Sequence, residues 1–408
     1  MNKNQIELLS PCGDYERLEL ALKYGADAVY LGGNMFTMRA APKNFNDEEL
    51  SKGISLAHSL GKKVYLTCNV YPHSAELALL PDFIAKARNA GVDGFIIADL
   101  GVLQIAKKVA PEVDIHISTQ AGITNYESAC FFRDLGASRI VPARELSLEE
   151  IAELRAKTDK ELEIECFVHG AMCMSFSGRC LLSSYMVGRD ANLGMCAQPC
   201  RWQFDIMDVT RPGIKYPVTE DEHGTYFMNS RDMCMIEHIP ELIAAGINSF
   251  KIEGRAKSAY YTAVVTNAYR QAIDGFYNTP TPDYKPEQWI LDEMDKVSHR
   301  EYSTGFYFKH PDKDANIDYK GGYINNWDVV AFVESADGQI LTLSQRNKFL
   351  PEDELEILEP NKEPVKFKAG ELFDEDMNII SSANHAMMTV KIKTDKVFEQ
   401  GSLVRKQK

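Results

Sequence analysis

Residues 24–33 read YGADAVYLGG, and the phrase returns in degenerate form as AGVDGFIIAD at 90–99, LGASRIVPAR at 135–144 and AGINSFKIEG at 245–254. In each copy a helical pattern runs into glycine, a short spacer follows, and an apolar strand comes next. Glycine ends a helix at little steric cost, so each copy reads as a helix C-terminus feeding a buried strand.

Further strand candidates lie between the copies, giving eight at 6–10, 28–32, 63–69, 94–99, 114–120, 139–144, 162–169 and 249–253. The gaps hold amphipathic patterns such as NDEELSKGISLAHSLG and LSLEEIAELRAKT, with apolar residues recurring at intervals of three and four. Eight βα units predict an α/β fold, a TIM-like (β/α)8 barrel, with an open doubly wound sheet as the competing arrangement. The spacing is regular except between the seventh and eighth strands, where an insertion at 171–245 separates them by about 80 residues. Barrel enzymes build their sites from loops at the carboxyl ends of strands, so the enlarged loop marks the expected active region.

Past the last barrel helix, DGFYNTPTPDYKPEQW is rich in Pro, Asp and Tyr and reads as a linker. From 321 onward the chain alternates short strands with turns, as in WDVVAFVE, QILTLSQ and AMMTVKIKT. The expected organisation is a barrel over 1–280, a connecting segment over 281–320 and a small all-β barrel domain over 321–408.

Five of the nine cysteines fall in the run from Cys166 to Cys200, within ECFVHGAMCMSFSGRC and NLGMCAQPCRW. The amino end lacks a charged and apolar leader pattern and no stretch is apolar enough to span a membrane, so a soluble, cytoplasmic, reducing setting is expected. An odd cysteine count there argues for metal ligation, reactivity or burial over a disulfide framework. Paired CxxC knuckles, the common zinc signature, do not occur, whereas an iron–sulfur cluster tolerates looser spacing. Net charge is −14, so nucleic-acid contact would need a local basic patch.

ECFVHGAMCMSFSGRCLLSSYMVGRDANLG resembles the signature of the peptidase U32 family: an acidic residue, His-Gly, a cysteine, Ser-Gly-Arg-Cys and a later Arg-x-Ala-Asn. STQAGITN, VPARELSLEEI, MNSRDMC and KIEGRAKS extend the resemblance over roughly residues 6–275. Within that family the chain looks most like the tRNA hydroxylation group. The resemblance implies oxygen-independent hydroxylation of the tRNA wobble uridine to 5-hydroxyuridine, with prephenate as co-substrate and a [4Fe–4S] cluster. It carries cluster ligation onto Cys173, Cys180 and Cys196, with Cys234 as the fourth ligand and Cys200 as the alternative. Two rivals are a collagenase-like hydrolase and a cluster-bearing scaffold for a separate hydroxylase, which would need a protein partner and no substrate-sized cavity. GxSxG and HExxH are both absent from the sequence; a couple of Cys166 with His169 is the remaining hydrolytic candidate.

Residues closing the predicted strands are the natural substrate contacts: Asn69, Asp99, Gln120, Arg144, Glu145, His169, Glu253 and Arg255. A dicarboxylate such as prephenate favours guanidinium forks, which singles out Arg144 and Arg255; the opposing reading makes them struts to Glu145 and Glu253. Glu165 and His169 lie four apart on one predicted strand face, either as a structural pair or as an acid/base couple. For tRNA, the candidate basic residues are Arg179, Arg189, Arg201, Arg211 and Lys215, then Lys391, Lys393, Arg405, Lys406 and Lys408. Tyr185, Trp202 and Tyr226 are available for base stacking.

Overall fold

The computed structural model describes residues 6–38, 44–173, 175–199, 231–308, 323–337 and 339–408, with short strand pieces between 206 and 226. Seven parallel strands follow in spatial and chain order: β1 (Glu7–Pro11), β2 (Ala28–Gly32), β3 (Lys63–Cys68), β4 (Gly94–Ile97), β5 (Asp114–Ile117), β6 (Arg139–Ile140) and β7 (Glu163–Ala171). The strand Ser249–Ile252 pairs in parallel with both β1 and β7 and closes the ring. The fold is therefore a TIM-like barrel. In all four repeated phrases the glycine takes a positive φ, from 78° at Gly246 to 105° at Gly25, which is what the helix-to-strand turn demands.

Helices surround the ring, and their starts are set by side-chain caps. Asn46 with Glu49 and Ser147 with Glu150 form complete capping boxes. The core is filled by strand residues such as Leu8, Val29, Leu31, Val64 and Phe250 packing against helix faces such as Leu18, Ile54, Ile84 and Val265.

The barrel interior is partly apolar and partly ionic. Leu9, Ala28, Tyr30, Tyr65 and Ile96 form an inner cluster. Beside it Arg139 reaches Glu7 at 2.6 Å and Glu165 at 2.9 Å, and Lys251 reaches Glu165 at 2.6 Å. Desolvation by itself would raise the pKa of the largely enclosed Glu7, but the Arg139 guanidinium more than offsets this and holds the carboxyl below its ordinary value.

One irregularity in β7 matters for the site. Phe167 pairs with Lys251 and His169 with Ile252, so one extra residue, Val168, is accommodated in β7 at that step. A bulge of this kind flips the faces of everything beyond it. Glu165 and Phe167 face the barrel interior with Lys251, while His169 turns outward.

The carboxyl-terminal region is an eight-stranded antiparallel half-barrel, in which Trp327–Asp337 pairs with Ile340–Gln345 and with Leu403–Gln407. Its own core includes Val333, Leu343, Phe349, Ile357, Val390 and Ile392. It docks on the preceding segment through buried charge: Arg405 reaches Glu293 at 2.6 Å, and Lys296 reaches Glu356, the strand partner of Arg405, at 2.9 Å. Tyr24 adds a hydrogen bond to the Leu358 carbonyl at 2.8 Å.

Candidate active site at the barrel mouth

The carboxyl ends of the strands open into a cavity of about 910 Å³. Its floor and walls come from the barrel, including Tyr30, Thr67, Asn69, Gln120, Arg144, Phe167, Lys251, Glu253 and Arg255. Its far side comes from the insertion after β7, including Cys173, Ser177, Cys180 and Cys196. A scaffold without a substrate-sized space does not match this shape.

Three cysteines predicted from sequence thus face one volume, and each is held in the same local way. The backbone N–H two residues on donates to each sulfur at 3.4 Å: Ser175 to Cys173, Leu182 to Cys180 and Gln198 to Cys196. Amide donors aimed at a sulfur tune the potential of iron bound to it. Among the described residues no three His, Cys, Asp or Glu side chains converge on a point that would hold a single metal ion. A cubane does not require such convergence, because each thiolate binds a separate iron corner. Three cysteine sulfurs on one cavity wall are thus a donor set that an iron–sulfur cluster can use.

Cys234 is placed differently. It lies on the strand Asp232–Cys234, antiparallel to β7, with His169 as its register partner, and does not line the cavity. Burial pushes its thiol up to about 12, and Tyr269 is its hydrogen-bond partner. The alternative, Cys200, lies outside the described residues. Cys12 and Cys68 are fully buried and their thiols are pushed up by desolvation, as small core residues.

The strand-end candidates divide. Arg144 stacks over the Phe167 ring at 4.0 Å, donates to the Ala171 carbonyl at 3.1 Å and stands 4.0 Å from Glu253. Its buried Nε has no partner among the described residues. Arg255 donates to Thr37 at 2.6 Å, Thr67 at 2.9 Å and Asn44 at 3.1 Å. Asn69 donates to Gln120 at 2.9 Å on the opposite wall. Asp99 instead caps the helix Leu100–Val109. Glu145 accepts from the backbone N–H and hydroxyl of Ser177 at 2.7 and 2.8 Å, so the carboxyl end of β6 grips the cysteine loop.

Lys251, Lys257, Arg300 and Tyr261 also line the cavity, and none was singled out from sequence. The signal for Lys251 was present, since strand alternation puts it on the face of Glu253.

The profile of peptidase family U32 matches residues 13–317, and that of the peptidase family U32 C-terminal domain matches residues 325–405. The chain belongs to peptidase family U32. This U32 chain is 37% identical over 404 residues to tRNA hydroxylation protein P1 of Bacillus subtilis, covering 98% of this chain and 95% of that one. It is 36% identical over 396 residues to tRNA hydroxylation protein P of Escherichia coli, covering 87% and 86%. It is 31% identical over 350 residues to 23S rRNA 5-hydroxycytidine C2501 synthase of Escherichia coli, covering 85% and 50%.

The Cys166–His169 couple considered for hydrolysis does not enter this U32 cavity. Cys166 is buried with its thiol pushed up by desolvation, and neither it nor His169 lines the cavity. His169 sits among the rings of Tyr261, Tyr269 and Tyr302, and burial lowers its pKa to about 3. The predicted shared face of Glu165 and His169 is corrected by the bulge at Val168: Glu165 pairs with Lys251 and Arg139 instead.

One member of the basic patch expected on the β domain, Arg405, is also corrected. Arg405 is fully buried in its ion pairs with Glu293 and Glu356. Lys406 pairs with Asp353 at 2.7 Å, Lys408 with Asp328 at 3.4 Å and Lys393 with Glu371 at 3.9 Å. Lys391 donates to the Glu375 carbonyl. Arg179 and Arg189 in the U32 insertion donate to backbone carbonyls of Gln120 and Met195. Arg201, Trp202 and Arg211, and the side chains of Tyr185, Lys215 and Tyr226, lie outside the described residues. No described helix is long and apolar enough to cross a membrane.

Proposed function

We propose that this chain is a cytoplasmic RNA-modifying enzyme that hydroxylates the wobble uridine of tRNA to 5-hydroxyuridine, without molecular oxygen, using prephenate and a [4Fe–4S] cluster. The observation that carries the reading is the meeting, in one cavity, of three amide-bonded cysteines with a cationic wall. The names of the relatives similar over most of the chain agree with the RNA hydroxylation part of it.

Cys173, Cys180 and Cys196 would hold three iron corners. Cys234 is the proposed fourth ligand, and Cys200 the competing one. When bound, the cluster supplies one-electron redox chemistry at the insertion side of the cavity.

The chain's own residues do the positioning. Arg144, fixed on Phe167, would take one carboxylate of prephenate and Arg255 the other, since both line the cavity. Lys251 lies on the floor beneath them, with its charge compensated by Glu165 inside the barrel. Glu253, near Arg144, limits how much negative charge the site accepts. The uracil ring would enter from the open mouth, between this wall and the cysteine loop.

Nucleoside mass spectrometry of tRNA from a deletion strain tests the reading. Nucleosides derived from 5-hydroxyuridine should disappear and return on complementation with the wild-type chain, but not with Cys173→Ala. Unchanged nucleosides in the deletion strain would end it. Iron and sulfide analysis after anaerobic purification tests the cluster separately, with about four of each per chain expected.

A further inference from the structure

The loop between Cys173 and Cys180 turns through Ser177 at φ 44°, a left-handed conformation unusual for serine. Ser177 is 2% exposed, and both its donors are taken by Glu145. The turn thus holds its neighbour Phe176 at the lip, where it is 50% exposed, although the residues on either side, Ser175 and Ser177, line the cavity. A half-exposed phenylalanine forfeits much of the roughly 1.5–3 kcal/mol that full burial would bring. A turn clamped into an unfavourable backbone region to keep that ring in water is a presentation device.

The surroundings specify what is presented to. Phe176 lies over the turn at Gly122, and so does the Arg179 guanidinium. Arg179 donates from Nη2 to the Tyr71 hydroxyl at 3.0 Å and from Nε to the Gln120 carbonyl at 2.7 Å, and its carbon centre is 5.5 Å from the Tyr71 ring. Its partners among the described residues are thus neutral oxygens and a ring, and no carboxylate compensates its charge there. An exposed aromatic face beside an uncompensated guanidinium offers the two contacts of a single-stranded nucleotide, base stacking and phosphate.

We propose that Phe176 and Arg179, buttressed by Tyr71, form a nucleotide-binding lip that holds an unpaired RNA nucleotide flanking the target. The base stacks on Phe176 and its phosphate lies against Arg179, so the neighbouring base is directed into the cavity. This rests on the RNA-modifying reading above and assigns to that reading its point of contact with the strand.

The test uses the cluster-loaded full-length chain and a fluorescently labelled RNA hairpin with a seven-nucleotide loop carrying uridine at the wobble position, read by anisotropy. Phe176→Ala should weaken binding about 5- to 100-fold, as loss of one stacked base does, with iron content equal to wild type. Phe176→Trp should restore binding, and its added fluorescence should quench when RNA is bound. Arg179→Gln should weaken binding and reduce the salt dependence by about one phosphate contact. If wild type binds the hairpin and all three variants bind it equally well, the lip is refuted while the RNA reading stands. If wild type binds neither the hairpin nor whole tRNA, both fall together. Should Phe176→Ala lose iron as well, Phe176→Trp decides: iron and RNA binding both restored support the lip, and iron restored without RNA binding refutes it.

Discussion

Lys251 and Glu165 meet at 2.6 Å inside the barrel, on adjacent strands, directly under the mouth cavity. Arg139 shares the same carboxylate at 2.9 Å and passes its own charge on to Glu7 at 2.6 Å. Arg139 also reaches Glu163 at 2.6 Å, so two cations and three carboxylates form one network through the middle of the fold. Such a network contributes little net stability compared with apolar packing, but removing one member leaves a buried charge without its partner.

Lys251→Met should therefore destabilise the chain by about 3–5 kcal/mol. Lys251→Met combined with Glu165→Gln should cost less than the two single changes summed. Urea denaturation with both single variants and the double variant measures the coupling. Additive losses would mean that the two side chains are not an interacting pair.

Arg144→Lys keeps a positive charge but loses the planar fork and the stack on Phe167. Loss of a charge-assisted hydrogen bond worth about 1.5–3 kcal/mol corresponds to a fall of about 10- to 100-fold in tRNA modification, with a higher requirement for prephenate. In vitro modification assays over a prephenate titration check this. Wild-type dependence on prephenate in Arg144→Lys would remove the guanidinium from carboxylate recognition.

Single alanine replacements of Cys173, Cys180 and Cys196 should each strip iron and sulfide from the purified chain. Of the two candidates for the fourth thiolate, Cys234→Ala should do the same and Cys200→Ala should retain the cluster. The reverse result would move the ligand to Cys200 and leave Cys234 as a packing residue behind β7.

His169 gives a pH dependence with a definite sign. Its pKa falls from the ordinary 6.5 to about 3 on folding, so between those values the unfolded chain binds a proton that the native chain refuses. Stability is full above about pH 6.5 and drains away as pH falls through that window, by up to about 1.4 kcal/mol per pH unit. His116 is depressed in the same direction by burial and adjacent cations, so the wild-type slope contains both. Between pH 7 and pH 5, His169→Phe should lose about 2 kcal/mol less than wild type. Equal losses would place His169 in contact with water.

The barrel was legible because its signal is repeated. Four glycine-to-strand phrases and a period of alternating apolar segments state the same architecture many times, so a boundary error at one strand does not change it. The three cavity cysteines were legible because their segment breaks that regularity. The face of His169 was not, since one extra residue at Val168 inverts a two-residue period and nothing in the local sequence marks it. Arg405 reads as a surface cation in the run SLVRKQK. Its burial depends on Glu293, 112 positions away, and on Glu356, which no local pattern connects. Glu145 was named as a strand-end residue, but its hold on Ser177 depends on a turn conformation that serine rarely adopts.

The two ends of the cysteine excursion are ladder partners: Ala171, where it departs, stands opposite Asp232, where it returns, and Arg300 fixes Asp232 at 2.6 Å. With departure and return stapled side by side, the excursion leaves and rejoins the cylinder at one place, so a change in its length need not pull the strands below apart. A lineage could recast which nucleic acid the excursion admits while leaving the ring of strands intact, and an experimenter could exchange excursions between relatives at those two residues.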